Sequence, residues 1–306
     1  MPHRPAPTLA RCLAAGLLLA AAPPPLYETR PGEPVPVTIS GTTIPVALTT
    51  ANVDKLVLNA ATIARLGIEP AVIKGKATVK IGPTKVLQGR NRPLDHTVAG
   101  AKSGDRILWF EGVDQPGADG SIGPWSIPHD RVAIRLPGAG SKPYSFPLLG
   151  DANSLSLTRV VTPDYGFGLE FGIESPSLYP VASAAAGAAI ARALGGVATT
   201  QTWDEEVLLG ITRPVRRVDL ARSLVIGPFS FTTIAVRIRD AKDGMGSGAM
   251  LPQPPGPDDD PAEIVVTAVT EKGPRPIYTL SIPATALAAC SRLEYAKKAR
   301  AITLTC

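Results

Sequence analysis

The stretch Val35–Ile68, VPVTISGTTIPVALTTANVDKLVLNAATIARLGI, decides how this chain is read. Val35, Val37 and Ile39 alternate with other residues, Gly41 turns the chain, and Ile44, Val46 and Leu48 alternate again. A period of two around a turn residue predicts a β-hairpin. Asn59 is placed to cap a short helix over Asn59–Leu66, in which Ile63 and Leu66 share one face and Gly67 fits the position just past the end. The unit is hairpin, loop, short helix.

A second copy follows the Gly/Pro/Ser-rich junction at Pro137–Pro147. Ser154–Val161 and Phe167–Ile173 read as strands, and AAAGAAIARALGG from Ala184 to Gly196 reads as a helix with the same Leu-Gly ending. Two further landmarks recur in order. VKIGP at Val79–Pro83 answers LVIGP at Leu224–Pro228, and SIPHDRVAIRL from Ser126 answers the longer SIPATALAACSRLEYAKKARAITL from Ser281. The ordered set implies a duplicated β-rich lobe. The 306 residues are enough for two such units. With 32 Pro and 29 Gly, breakers are too frequent for a helical bundle or coiled coil.

Charge and composition narrow the function classes. A net charge of +5 with 5% aromatic residues gives neither a basic stripe nor stacking platforms, which argues against nucleic acid. Arg4, Arg11 and the apolar run Cys12–Ala22 read as a signal peptide over 1–22, so the chain is expected in the periplasm or secreted. Pro23 is a poor residue for the cleavage site, and an uncleaved anchor is the alternative. No later run is long enough to span a membrane, so none is expected in the mature chain. Residues 23–34 read as a linker. The segment 247–263, with Pro, Gly and Asp258–Asp260, reads as a solvated loop, because it lacks the alternating ligands of a calcium site.

Outside the leader only Cys290 and Cys306 remain, an even pair that predicts one disulfide. His96 and His129 are expected on surface loops, with no spacing that suits a metal and no cofactor motif. Ser126, His129 and Asp130 lie too close in sequence to read as a triad.

The arrangement resembles the retropepsin-like aspartyl proteases, in the tandem two-lobe form of exported bacterial proteins. VTISGTTIPVAL matches that family's hairpin, ATIARLGI its helix, and GADGSIGPWSIPHDRVAIRL from Gly117 its closing segment. The match covers most of Val35–Leu136, while Leu155–Cys306 fits more loosely. The resemblance implies a mainly β fold of two related β-barrel lobes with short helices, facing across a cleft. The first lobe would span 35–140, a linker 141–153 and the second lobe 154–306.

The same resemblance expects an Asp-Thr-Gly motif in each lobe. Here the first lobe has Thr49, Thr50 and Ala51, a slip of one residue would put Thr50 at the active position instead, and the best match in the second is Glu174, Ser175 and Pro176. Aspartic proteolysis needs two carboxylates about 3 Å apart sharing one proton, and a threonine hydroxyl supplies neither the acid nor the base. The reading that results is an exported member of the family that binds a peptide or extended protein segment in the cleft without cleaving it. The alternatives are a working endopeptidase that pairs Glu174 with Asp54 or Asp119, and a structural module of the cell envelope.

Overall fold

A computed structural model of the protein describes residues 26–50, 55–72, 75–81, 84–148, 158–161, 166–238 and 279–306. Residues 1–22, read above as a signal peptide, Asp54 and the 247–263 segment lie outside the described residues. The chain is mainly β. Its first half runs β1 (Leu26–Thr29), β2 (Val35–Ile39), β3 (Thr42–Leu48), β4 (Val57–Leu58), helix α1 (Ala60–Arg65), β5 (Lys76–Ile81), β6 (Thr84–Pro93), β7 (His96–Val98), β8 (Ala101–Ser103), β9 (Arg106–Phe110), β10 (Gly120–Ile122), β11 (Arg131–Arg135) and β12 (Pro143–Pro147). The second half runs β13 (Thr158–Val161), β14 (Gly166–Gly172), β15 (Val181–Ala182), helix α2 (Ala184–Leu194), β16 (Gly196–Leu208), β17 (Ile211–Ile226), β18 (Phe229–Arg237), β19 (Thr279–Pro283), helix α3 (Ala284–Leu287), β20 (Arg292–Ala296) and β21 (Ala301–Thr305).

The expected hairpin is β2–β3, with Val35 opposite Val46 and Val37 opposite Ile44. Its alternating apolar residues are all buried, each stabilising the fold by about 1.5–3 kcal/mol relative to an exposed side chain. Helix α1 follows as expected, with Gly67 in the left-handed region at φ 62°. Asn59 stands before it but caps through no side-chain hydrogen bond. Its Nδ2 instead donates to the carbonyls of Gln115 and Ala118, and its Oδ1 accepts from Gln115 N, tying the loop ahead of β10 to the helix start. Helix α2 is capped by Ser183, whose Oγ accepts from Ala186 N. It ends at Gly195 with φ 70°.

The duplication is plainest in the strand order. One sheet reads β5-β6-β9-β4-β10-β3-β2-β7-β8, and another, read from its far edge, β16-β17-β18-β15-β19-β14-β13. Position by position the two orders match over seven strands, and β7–β8 is an extra hairpin in the first half. In each half a late strand enters between the two that precede the helix. Strand β10 runs parallel to β3 and antiparallel to β4, and β19 runs parallel to β14 and antiparallel to β15. A third sheet, β1-β11-β20-β21-β12, joins strands from both halves.

This order corrects several readings. The two Ile-Gly-Pro landmarks do not correspond: one leads from β5 toward β6 and the other from β17 toward β18. Gly-Pro favours a turn of any hairpin, so the match reported turn chemistry rather than position. Ser281 of β19 corresponds to Ser121 of β10, not to Ser126, which lies in a 3-10 turn. Residues 26–29 and 143–147, assigned to linkers, are strands of the joining sheet. Neither histidine is on the surface. His96 in β7 is buried with Nδ1 against Leu94 O, and His129 is buried with its ring 5.5 Å from that of Tyr27.

Cys290 and Cys306 form a disulfide, with Cα atoms 3.8 Å apart, after helix α3. Among the described residues no helix is long and apolar enough to cross a membrane.

Candidate functional site

The inserted strands deliver two corresponding loops to one place. Leu48 pairs with Ile122 of β10, and Thr49 N donates to Ile122 O at 3.0 Å. In the second half Phe171 pairs with Ile282 of β19. With Ile122 and Ile282 matched, Leu48 corresponds to Phe171, Thr49 to Gly172 and Thr50 to Ile173. Glu174 is therefore two residues out against Thr49 and one against Thr50, and it follows the loop rather than heading it. Glu174 is the first acid after β14, but hydrogen-bond register places Gly172 at the matched position.

The loops meet through Thr50. Its hydroxyl accepts from Ile173 N at 3.0 Å and donates to Phe171 O. Its backbone N–H points between the carboxylate oxygens of Glu174, at 2.9 and 3.1 Å, and its hydroxyl lies 3.0 Å from Oε2. The carboxylate thus meets a donor across the chain, a charge-assisted contact that holds the two loops in register. Thr49 is buried at 3% exposure, and its hydroxyl has no hydrogen-bond partner among the described residues.

The other candidate acids are placed elsewhere or lie outside the described residues. Asp119 Oδ1 accepts from Thr62 Oγ1 at 2.8 Å and from Arg65 Nη2 at 2.6 Å, so it anchors helix α1 rather than joining Glu174. Asp54 is not among the described residues. Ser126 donates to Asp105, Asp130 pairs with Lys298, and His129 packs on Tyr27, so these three do not form a relay. Among the described residues no three His, Cys, Asp or Glu side chains are grouped to hold a metal.

One carboxyl that sequence reasoning passed over belongs to the site. Glu170 sits between Leu169 and Phe171 in β14, with its side chain on the opposite face from those two core residues. Burial pushes its carboxyl up to about 7, Arg237 opposes that rise, and the charge of Glu174 adds to it. The signal was present, since Glu170 is the one charge in GFGLEFG and falls between the alternating apolar residues Leu169 and Phe171.

Strand register carries the same face outward across β19, β15, β18, β17 and β16. Along it Arg217 lies over the Tyr179 ring, Tyr179 meets Trp203, and Trp203 Nε1 donates to Glu205 at 2.6 Å. Ser177 donates to the same Glu205 oxygen at 2.8 Å. The second half therefore carries polar and aromatic side chains on this face around a buried apolar strip that includes Val215 and Ala235.

No protein-family model matches the chain, and no curated protein matches it.

Proposed function

We propose that this chain is an exported protein of the retropepsin-like type that binds an extended peptide without hydrolysing it. One observation carries the reading: the two corresponding loops present Thr49–Thr50 and Gly172–Ile173, and the single carboxylate they share, Glu174, is engaged by Thr50 N. Two carboxylates sharing a proton are what aspartic proteolysis requires, and neither matched position, Thr49 nor Gly172, supplies one. Long strand edges in β16 and the polar and aromatic side chains beside it suit main-chain and side-chain contacts to an extended ligand. The Cys290–Cys306 disulfide supports an oxidising compartment, periplasmic or extracellular.

A second reading is favoured by Glu170. Burial pushes its carboxyl up to about 7, with the charge of Glu174 adding to the rise, which makes Glu170 a candidate proton donor near neutral pH beside the loops.

An unfolded protein substrate incubated from about pH 3 to 7 separates the two. The pseudoenzyme reading expects an intact substrate together with saturable binding of labelled decapeptides. Cleavage that Glu174→Gln or Glu170→Gln abolishes would establish the peptidase, and absence of both cleavage and binding would leave the structural-module alternative.

A further inference from the structure

Away from the Thr50–Glu174 contact, the two halves are also held together by a pair of lysines. Lys297, in the turn between β20 and β21, donates from Nζ to Trp125 O at 2.7 Å and to Ile127 O, and lies 6.0 Å from the centre of the Trp125 ring. Its backbone N–H donates to Asp130 O at 2.9 Å, and Lys298 Nζ pairs with Asp130 Oδ2 at 2.6 Å. Residues 125–130 lead from β10 to β11, and β10 is the strand that holds the Thr49 loop through Ile122 O. Charge-assisted contacts from the second half therefore fix a segment that follows the site of the first.

His129 sits inside this joint. It is buried, its backbone N–H donates to Ile127 O at 2.7 Å, and its ring packs against Tyr27 of β1. Its Nδ1 is buried with no hydrogen-bond partner among the described residues. A neutral imidazole can leave one ring nitrogen without a proton, and that nitrogen then has no donor to satisfy. In the imidazolium both nitrogens carry N–H, and here Nδ1–H would face no acceptor while a charge was buried. Lys297 faces the ring from the β20–β21 turn and repels that charge, whereas Asp130, on the ring's own segment, attracts it but is already paired with Lys298. Tyr27 brings no charge, because burial pushes its phenol up from an already high value. Burial first, and Lys297 second, hold the His129 imidazole below its usual range.

We propose that His129 makes this joint acid-releasable: protonation of its ring parts residues 125–130 from the β20–β21 turn, while the joining sheet stays paired. The inference does not depend on what the protein binds. The folded chain takes up this proton less readily than the unfolded chain, so the joint is firm above the ordinary imidazole value of 6.5 and loosens as pH falls below it. Glu170 acts with the opposite sign, since its protonation on acidification favours the folded chain, and it does not produce this loosening.

Amide exchange of the full chain at about pH 7.5 and about pH 5, each rate divided by that of an unstructured peptide at the same pH, tests it. Protection over 125–130 and 296–300 should fall roughly tenfold or more at the lower pH, while the β2–β3 hairpin keeps its protection. His129→Phe keeps an aromatic ring against Tyr27 and takes no proton, so it should hold the same protection at both pH values. His129→Gln is a second neutral variant with the same expectation, and circular dichroism confirms that each is folded. His96 is unaltered in both, so any loosening that it causes would persist in them. Nuclear magnetic resonance of the His129 ring in the unaltered protein should give a titration midpoint below 6.5. Equal protection at the two pH values, an acid loss that persists in both variants, or a ring midpoint at or above 6.5 would each overturn the proposal.

Discussion

Thr50 carries an unusual share of the contact between the halves. Its hydroxyl serves a donor and an acceptor of the opposite loop, Ile173 N and Phe171 O, while its N–H serves Glu174. Ile173 N also donates to Phe171 O at 3.1 Å, so the Thr50 hydroxyl adds a second partner to each of these groups and ties the opposite loop's own turn to the first loop, a part that threonine or serine can play. Glu170 is the residue whose chemistry is most open to measurement. Its folded value of about 7 lies above the ordinary 4.5, so the folded state binds the proton more tightly than the unfolded chain does. Its contribution is fully present below about pH 4.5 and is lost as pH rises through 7. Glu170→Gln, which mimics the protonated form, should match the unaltered protein near pH 4 and exceed its stability by up to about 3 kcal/mol at pH 8. Urea titrations at the two pH values check this. Burial holds His129 below its usual range, but that contribution is common to both proteins and drops out of the difference.

Among the elements, the inserted strand β10 is the most exacting. A Cβ at Gly120 would stand 2.2 Å from Val57 O and 2.8 Å from Leu58 Cα, both backbone atoms that cannot swing aside. Gly120→Ala should therefore cost roughly 3 kcal/mol, with a lower urea midpoint and little change in slope. The same strand shows what the sequence could reveal. The β2–β3 hairpin and helices α1 and α2 were legible because alternation, a cap position and a Leu-Gly ending are local signals. The insertion of β10 and β19 was not, because it is made of hydrogen bonds between residues far apart in the chain, and short turn motifs took its place in the comparison of halves. For the same reason Thr50 and Glu174 could be named from the sequence while their pairing, and the part played by Glu170, awaited the register.

At the scale of the whole molecule, the disulfide and the joining sheet act together. Cys290 and Cys306, 16 positions apart, close the β20–β21 hairpin at its open end. Cross-linking a loop of that size contributes about 3 kcal/mol, so reduction should lower the melting temperature by roughly 5–10 °C. Thermal scans with and without reductant check it, and identical curves would mean the hairpin is held by its packing alone. The order of the joining sheet sets a further condition, one of time. Arg131 of β11 meets Glu294 of β20 across 163 positions of sequence. At the usual pace of synthesis that separation corresponds to roughly ten to thirty seconds. A β11 that pairs with β1 before β20 arrives would carry an open strand edge on its other side, the kind of edge on which incomplete chains associate. A ribosome paused before residue 292 would prolong the exposure, and whatever shields nascent edges in the cell has its task here defined by strand order.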